Sequence, residues 1–235
     1  MSSHPLDLPV WSALTGRQAH LAIVEGGARR YDPAYGVFAA LEDRSAASLA
    51  DLGALIAAHG DVAFLEADSP TDAPGVAVAA QDLGVQMVAD RLTAGPALAF
   101  LIEPLGEADA PEMLALATLT RPGPFFERTH RLGDFSGVKV EGRLVAMAGE
   151  RMKPEGFTEV SGVCTHPDHR GHGYAAALSR HVAGRIFERG ETPFLHAYAT
   201  NRPAIALYET LGFTVRREVL MTRLTRKMGT HTTFP

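Results

Sequence analysis

Apolar and polar positions alternate along this chain with two periods, one of about two residues and one of three to four. In the first half, HLAIVEGGARRY (20–31) and YGVFAALED (35–43) read as strands joined at Asp32-Pro33. SAASLADLGALIAAHG (45–60) changes to the helical period, with Ser45 near its start and Gly60 at its stop. DVAFLEA (61–67) returns to a strand, DSPTDAPG (68–75) is a loop by composition, and GVQMVAD (84–90) predicts a further strand. Turn formers in RLTAGP (91–96) then break the pattern, dividing the chain into an N-terminal α/β lobe (1–96) and a second domain (97–235).

The pattern restarts with strand-like ALAFLIEPL (97–105). EADAPEMLALATLT follows, placing Met113, Leu116, Ala117 and Thr120 at helical spacing until RPGP (121–124) ends the run. FFERTHRLGDF (125–135) predicts a short helix and loop, GVKVEGRLVAMAGERM (137–152) a hairpin around Glu141-Gly142, and FTEVSGVCTH (157–166) a strand rich in β-branched residues. After Gly173, Tyr174, Leu178, Val182 and Ile186 recur every four residues as far as Gly190, an amphipathic helix. TPFLHAYAT (192–200) is a buried strand. In NRPAIALYETLGF, Asn201 caps a helix, Pro203 suits its first turn and Gly212 closes it, with Ala204, Leu207, Tyr208 and Leu211 on one face. FTVRREVLMTRL (213–224) closes the sheet.

Composition narrows the classes. The chain has 235 residues, 46% of them hydrophobic, enough to bury a core. The start, MSSHPLDLPVW, lacks the features of a secretory signal, and no run approaches the ~18 apolar residues of a membrane span. One cysteine, Cys164, rules out an internal disulfide and a multi-cysteine zinc site, as expected in a reducing, cytoplasmic compartment. The net charge of −5 is uneven: residues 1–96 hold 5 basic and 12 acidic residues, residues 97–235 hold 17 and 15. Neither half clusters Lys and Arg as a nucleic-acid backbone requires, so neither nucleic acid nor membrane is an expected partner.

The stretch VCTHPDHRGHGYAAAL (163–178) concentrates candidate chemistry. His166, His169 and His172 do not make a metal site, because Pro167, Gly171 and Gly173 interrupt any helix that would align them and no acidic or cysteine ligand joins at the usual spacing. Gly171-His-Gly173-Tyr-Ala-Ala176 matches the G-x-G-x-x-A form of a dinucleotide-binding turn, but no acidic residue follows the next strand to hold a ribose. A third reading needs only a strand, then Arg170, Gly171, His172, Gly173, Tyr174 and Ala175, then a helix. The small residues let exposed amides of the first helical turn reach a pyrophosphate, with Arg170 adding charge.

Residues 97–226 resemble the GNAT superfamily of acyl-CoA N-acyltransferases in the order of elements and in three motifs. The R-x-x-G-x-G/A signature appears as Arg170, Gly173 and Ala175, preceded by SGVCT. N-x-x-A-x-x-L-Y-x-x-x-G-F appears as Asn201, Ala204, Leu207, Tyr208, Gly212 and Phe213. The resemblance implies an α/β (α+β) fold with a mixed, mostly antiparallel central sheet flanked by helices. It implies acetyl-CoA as cosubstrate and no metal. It implies backbone contacts to the pantetheine arm along Val163, Cys164 and Thr165, a coenzyme contact at Asn201, and Tyr208 as the acid for the leaving thiolate. The N-terminal lobe resembles a degenerate acyltransferase half, as in two-lobed members, and carries no coenzyme signature.

The expected reaction is direct transfer of an acetyl group to a primary amine of a small molecule or amino acid. Glu159, at the start of the pantetheine-binding strand, is the candidate base, since a free aliphatic amine is mostly ammonium at neutral pH. Cys164 has no His/Asp partner to activate it as a nucleophile. Phe125, Phe126 and Arg128 are candidates for the acceptor pocket, where Arg128 would meet a carboxylate, whereas the acidic first half would favour a cationic amine. A catalytically silent acyl-CoA sensor and a dinucleotide-binding protein are the competing readings, and pairing through an exposed sheet edge would give a homodimer.

Overall fold

The computed structural model describes residues 4–68 and 72–227. In chain order, helix α1 (Pro9–Thr15) precedes β1 (Ala22–Glu25), β2 (Ala28–Tyr31), β3 (Ala39–Leu41), α2 (Ala46–His59), β4 (Val62–Glu66) and the long β5 (Val76–Ala89). After an irregular stretch come β6 (Glu103–Leu105), α3 (Ala110–Thr120), β7 (Phe135–Val140), β8 (Arg143–Glu150) and β9 (Phe157–Thr165). The chain ends with α4 (Tyr174–Glu188), β10 (Thr192–Tyr198), α5 (Arg202–Leu211) and β11 (Phe213–Arg226). Eight strands form one sheet in the order β4-β11-β5-β10-β9-β8-β7-β6, and β1-β2-β3 form a small separate sheet. Among the described residues β9 and β10 are the one parallel pair of the large sheet. This is the mixed, mostly antiparallel sheet expected, and it excludes a doubly wound parallel architecture.

Several local expectations shift. Residues 20–31 form a hairpin, β1 and β2, turned at Gly26-Gly27. Of 97–105, the last three residues pair, as β6. α1 is too short for its apolar residues to repeat, so no period announces it. The break after Asp90 is a break in secondary structure and not in the sheet, because β5 lies between β10 and β11 and pairs with both.

Helices cover both faces of the sheet. Ser45 caps α2 by accepting from the Ser48 amide at 3.2 Å, and Leu52, Leu55 and Ile56 bury against Val62, Phe64 and Leu224. On the opposite face of β4, Leu6, Val10 and Leu14 pack with Phe38, Leu65 and Phe194. α4 lays Leu178, Val182 and Ile186 on Val145, Val160 and Leu195. α3 lays Met113, Leu116 and Ala117 on Phe135, Met147 and Cys164. Each buried Val, Leu, Ile, Phe or Met among them contributes about 1.5–3 kcal/mol.

The opening that matters lies between β9 and β10. Their pairing runs from Thr192/Phe157 to Phe194/Glu159 and stops there. Beyond it β9 stays on β8 as far as Thr165, while β10 stays on β5 as far as Tyr198, so the two strands splay. A register shift opposite Ala148 marks a bulge, with Gly162 at φ +64°. A Cβ there would sit 3.0 Å from the Phe135 ring, so both the backbone angle and the packing demand glycine. The bulge bends β9 away from its parallel neighbour and leaves main-chain groups of its second half unpaired on that side.

Candidate active site

A cavity of about 460 Å³ opens at the splay. One side is built by residues close together in sequence. Val163 from β9, Ala197 and Tyr198 from β10, and Asn201, Ala204 and Tyr208 at the start and inner face of α5 line it. Asn201 Oδ1 accepts from the Ala204 amide at 3.3 Å, which caps α5 and leaves the side-chain NH2 free to point at a ligand. The Tyr208 ring packs near Phe213, 6.0 Å between centroids, and burial pushes its phenol up to about 12.

The turn 170–173 follows at the outer end of β9. Gly171 (φ +82°) and Gly173 (φ +78°) take left-handed conformations, and Gly173 starts α4 without a side-chain cap. The first backbone bond of the helix runs from Ala177 to the Gly173 carbonyl at 3.1 Å, so the amides of Tyr174, Ala175 and Ala176 keep no acceptor among the described residues. His172 braces the turn. Its Nδ1–H donates to the carbonyls of Arg170 (3.0 Å) and His169 (3.1 Å), and its ring stacks on Tyr174 at 5.5 Å. Arg170 is exposed beside these amides. The proposed coenzyme residues thus fall along one continuous path, from Val163 to Ala175 and across to Asn201. Free amides at a helix start and an unpaired strand edge are the donor set that a pyrophosphate and an amide-bearing arm require.

Cys164 and Thr165 fit this path through their backbones. The Cys164 thiol packs against α3, and burial pushes it up to about 11, with a hydrogen bond to Thr120 opposing the shift. The Thr165 hydroxyl is buried with no partner among the described residues.

The other side of the cavity comes from distant segments. The large sheet supplies its floor with Leu65 on β4, Met221 and Arg223 on β11, and Ala80 and Asp82 on β5. Phe38, just before β3, and Arg121–Pro124, after α3, form the walls. The expected acceptor segment 121–130 therefore reaches the cavity through its first four residues. Phe125 instead packs edge-on to Phe135 at 5.8 Å, and Phe126 and Arg128 bond through their main chains to Thr129 and Ala34. None of these three is among the lining residues.

Glu159 lies on β9 as expected but is not placed to act as the expected base. Its carboxylate is fully buried and does not line the cavity. It accepts a bidentate pair from Arg151, Nε to Oε2 and Nη2 to Oε1, both at 2.7 Å, and a third bond from His196 Nδ1 at 2.7 Å. Burial pushes the carboxyl up, but the charge of Arg151 and the hydrogen bonds from Arg151 and His196 outweigh it and hold the group down at about 2. His196 is fixed on its other side too. The Gln86 amide reaches His196 Nε2 at 3.2 Å and donates to Leu6 O at 2.9 Å, while Gln86 Oε1 accepts from Arg216 at 2.8 Å. With Oε1 so engaged, Gln86 is the donor to Nε2, which leaves the imidazole proton on Nδ1. Arg151 and His196 border the cavity and stand between it and Glu159. Neither was legible beforehand, because an isolated Arg or His in a strand carries no spacing signal.

His166, His169 and His172 lie along the turn, with the first two rings 5.7 Å apart. Among the described residues no group of three or more His, Cys, Asp or Glu side chains is arranged to hold a metal ion, and no helix is long and apolar enough to cross a membrane.

Comparison with known proteins agrees with this geometry. Residues 137–222 match the family model for FR47-like proteins. A GNAT-family protein from Novosphingobium aromaticivorans, assigned as an acetyltransferase, is 45% identical over 96% of this chain and all of its own, with a TM-score of 0.87. A GCN5-related N-acetyltransferase from Kribbella flavida shares the fold at 18% identity, with a TM-score of 0.65 over 97% of this chain and 98% of its own. A GCN5-related N-acetyltransferase-like protein from Streptococcus suis does so at 15% identity, with a TM-score of 0.60 over 93% and 92%. A search of curated proteins gives no match. With the splayed strands, the glycine turn and a full-length relative in agreement, the chain belongs to the GNAT family of acetyltransferases.

Proposed function

We propose that the protein moves the acetyl group of acetyl-CoA directly to a primary amine of a small molecule or amino acid. The observation that carries this reading is the splay itself: it opens at its outer end on the free amides of α4 and at its inner end on a cavity that contains Tyr208. The coenzyme supplies a thioester, whose carbonyl carbon is open to attack by an amine.

The chain's own residues have four tasks. Amides 174–176 and Arg170 hold the pyrophosphate. Main-chain groups of β9 near Val163 align the arm and donate to the carbonyl oxygen as charge develops on it. Tyr208, a phenol raised to about 12, keeps its proton at neutral pH and gives it to the departing sulfur. The acceptor's amine must arrive uncharged, and Glu159, held at about 2 behind Arg151, is too weak a base to take that proton. The proton therefore leaves to water at the cavity mouth, where Asp82 is exposed.

The test mixes the protein with acetyl-CoA and a panel of amines and follows free thiol. Thiol release is expected, with a rate that rises with pH as the acceptor's ammonium titrates at about 9–10. Tyr208→Phe slows it by about 10²-fold or more. Release untouched by this substitution removes Tyr208 from the mechanism, and coenzyme binding without release from any amine replaces the transferase reading with that of an acyl-CoA sensor.

A further inference from the structure

The acceptor half of the cavity holds polar groups that the reaction above leaves unused, and Arg151 is the most firmly held of its arginines. Arg151 is 8% exposed and lines the cavity. Two of its guanidinium nitrogens are committed to Glu159. Its guanidinium carbon lies 4.5 Å over the Phe38 ring, and its carbonyl accepts from Gln18 at 2.7 Å. The side chain is therefore locked, yet the third nitrogen, Nη1, has no partner among the described residues. A guanidinium nitrogen held rigidly at a cavity wall, accessible from the cavity and without a partner, is a donor open to an acceptor atom.

The charges around it state which acceptor. Ionised groups lining the cavity are Arg121, Arg151 and Arg223 against Asp82, and since Glu159 balances the Arg151 charge the excess positive charge comes from Arg121 and Arg223. Arg121 closes α3 in a left-handed conformation, φ +51°, that a non-glycine residue seldom takes, and this turns the chain along the cavity wall. Neither Arg121 nor Arg223 forms an ion pair among the described residues. The apolar surface is supplied by Phe38, Leu65 and Met221. Met221 lies across Gly84, where a Cβ would come within 2.6 Å of its terminal methyl.

We infer that Arg151 is the specificity-determining residue for the acceptor, and that the acceptor is an amine bearing a carboxylate and an apolar side chain. Arg151 Nη1 donates to the carboxylate, Arg121 and Arg223 add positive potential at the mouth, and the side chain rests on Phe38, Leu65 and Met221. This inference rests on the acyl-transfer reading. On this inference the acidic N-terminal half does not favour a cationic amine, because of its acids only Asp82 lines the cavity and overall charge misreports the charge of the site.

The experiment compares L-leucine, L-methionine and L-phenylalanine with the amines obtained by removing each carboxylate, under acetyl-CoA saturation. The carboxylated acceptor is expected to have kcat/KM about 10- to 100-fold higher, the size of one charge-assisted hydrogen bond, carried mainly by KM. On the wild-type protein, 4-methylpentanoate is expected to compete with L-leucine. The double variant Arg151→Gln/Glu159→Gln removes both buried charges together, so neither is left alone, and the ratio of kcat/KM values should fall toward one. Equal use of the carboxylated and plain amines by the wild-type protein overturns the inference while leaving acyl transfer standing. A folded double variant that keeps the full preference overturns the part assigned to Arg151. Absence of thiol release from every amine overturns both readings.

Discussion

The two sides of the cavity are made in opposite ways. The side proposed to hold the coenzyme comes from one run of chain, β9, the turn 170–173, α4, β10 and α5, and its key atoms are mostly main-chain amides. The acceptor side is gathered from six segments spread between residues 37 and 223, and its key atoms are side chains. A side built from backbone needs only certain residue types at certain spacings, whereas a side built from side chains depends on which strands the fold brings together. The former can stay constant while the latter changes, so in the proposed reaction one ligand would be read by local geometry and the other by tertiary assembly.

The strongest test of this division is Glu159, which sits on β9 and binds Arg151 of the opposite side. Glu159→Leu leaves Arg151 buried without its partner and should destabilise the fold by about 3–5 kcal/mol, measured by urea unfolding at pH 7. The pH dependence has a defined sign. The carboxyl is held at about 2 in the folded protein against 4.5 when unfolded, so its contribution is present above about 4.5 and fades as pH falls through about 2. Wild-type stability should drop over that window, and Glu159→Leu should flatten the drop. A variant as stable as wild type would mean that the Arg151–His196–Glu159 cluster does not join the two sides.

Gly173 probes the coenzyme side alone. Nothing lies within 4 Å of a Cβ added there, so the only penalty of Gly173→Ala is the left-handed backbone, about 1 kcal/mol. As the turn relaxes, the amides of the first helical turn lose their aim, and the coenzyme Kd, read by calorimetry, should rise about 10-fold with little change in acceptor KM. Parallel losses in both constants would contradict the separation.

Legibility in the sequence follows the same line. The helical stripe Tyr174, Leu178, Val182 and Ile186, the cap at Asn201 and the glycine turn were readable because each is a local pattern, and all lie in the C-terminal half. β5 was not readable at its true length: VAVAAQDL is rich in alanine and carries Gln81 and Asp82, and it becomes strand because β11 pairs along it for most of its length. The placing of β5 between β10 and β11 could not be seen either, since it joins segments more than 100 residues apart. Arg151, His196 and Gln86 gain meaning only through that placement. Glu159 was found as a residue of consequence by its position on β9, but its buried partners, which decide its protonation, come from β10 and the start of the loop after β8.

Gly84 probes mainly the acceptor side, and more gently. A methyl there meets the Met221 terminal methyl at 2.6 Å and the Ala197 carbonyl at 3.1 Å. The flexible end of Met221 can move, and the room it has is the cavity. Gly84→Ala should therefore raise acceptor KM by roughly 3- to 10-fold for the bulkiest amines, as about one methylene's worth of space is lost, and leave coenzyme Kd unchanged. Relief of the effect by Met221→Ala in the same chain would identify the displaced side chain as the cause.

Cys164 marks the smallest expected effect, and it separates direct transfer from a covalent route. It lies on the coenzyme strand, so its backbone lies on the coenzyme path while its thiol points into the layer under α3. A thiol pushed up to about 11 is almost entirely protonated at neutral pH and is a poor nucleophile there. Cys164→Ala removes one buried sulfur, costs about 1 kcal/mol of stability, and should leave kcat within about twofold. Iodoacetamide should not label the native protein and should label it once unfolded. A large loss of kcat, with an acetyl group recovered on Cys164 by mass spectrometry, would put a side chain at the centre of the side described here as backbone, and the division between the two halves of the cavity would fail at its chemical step.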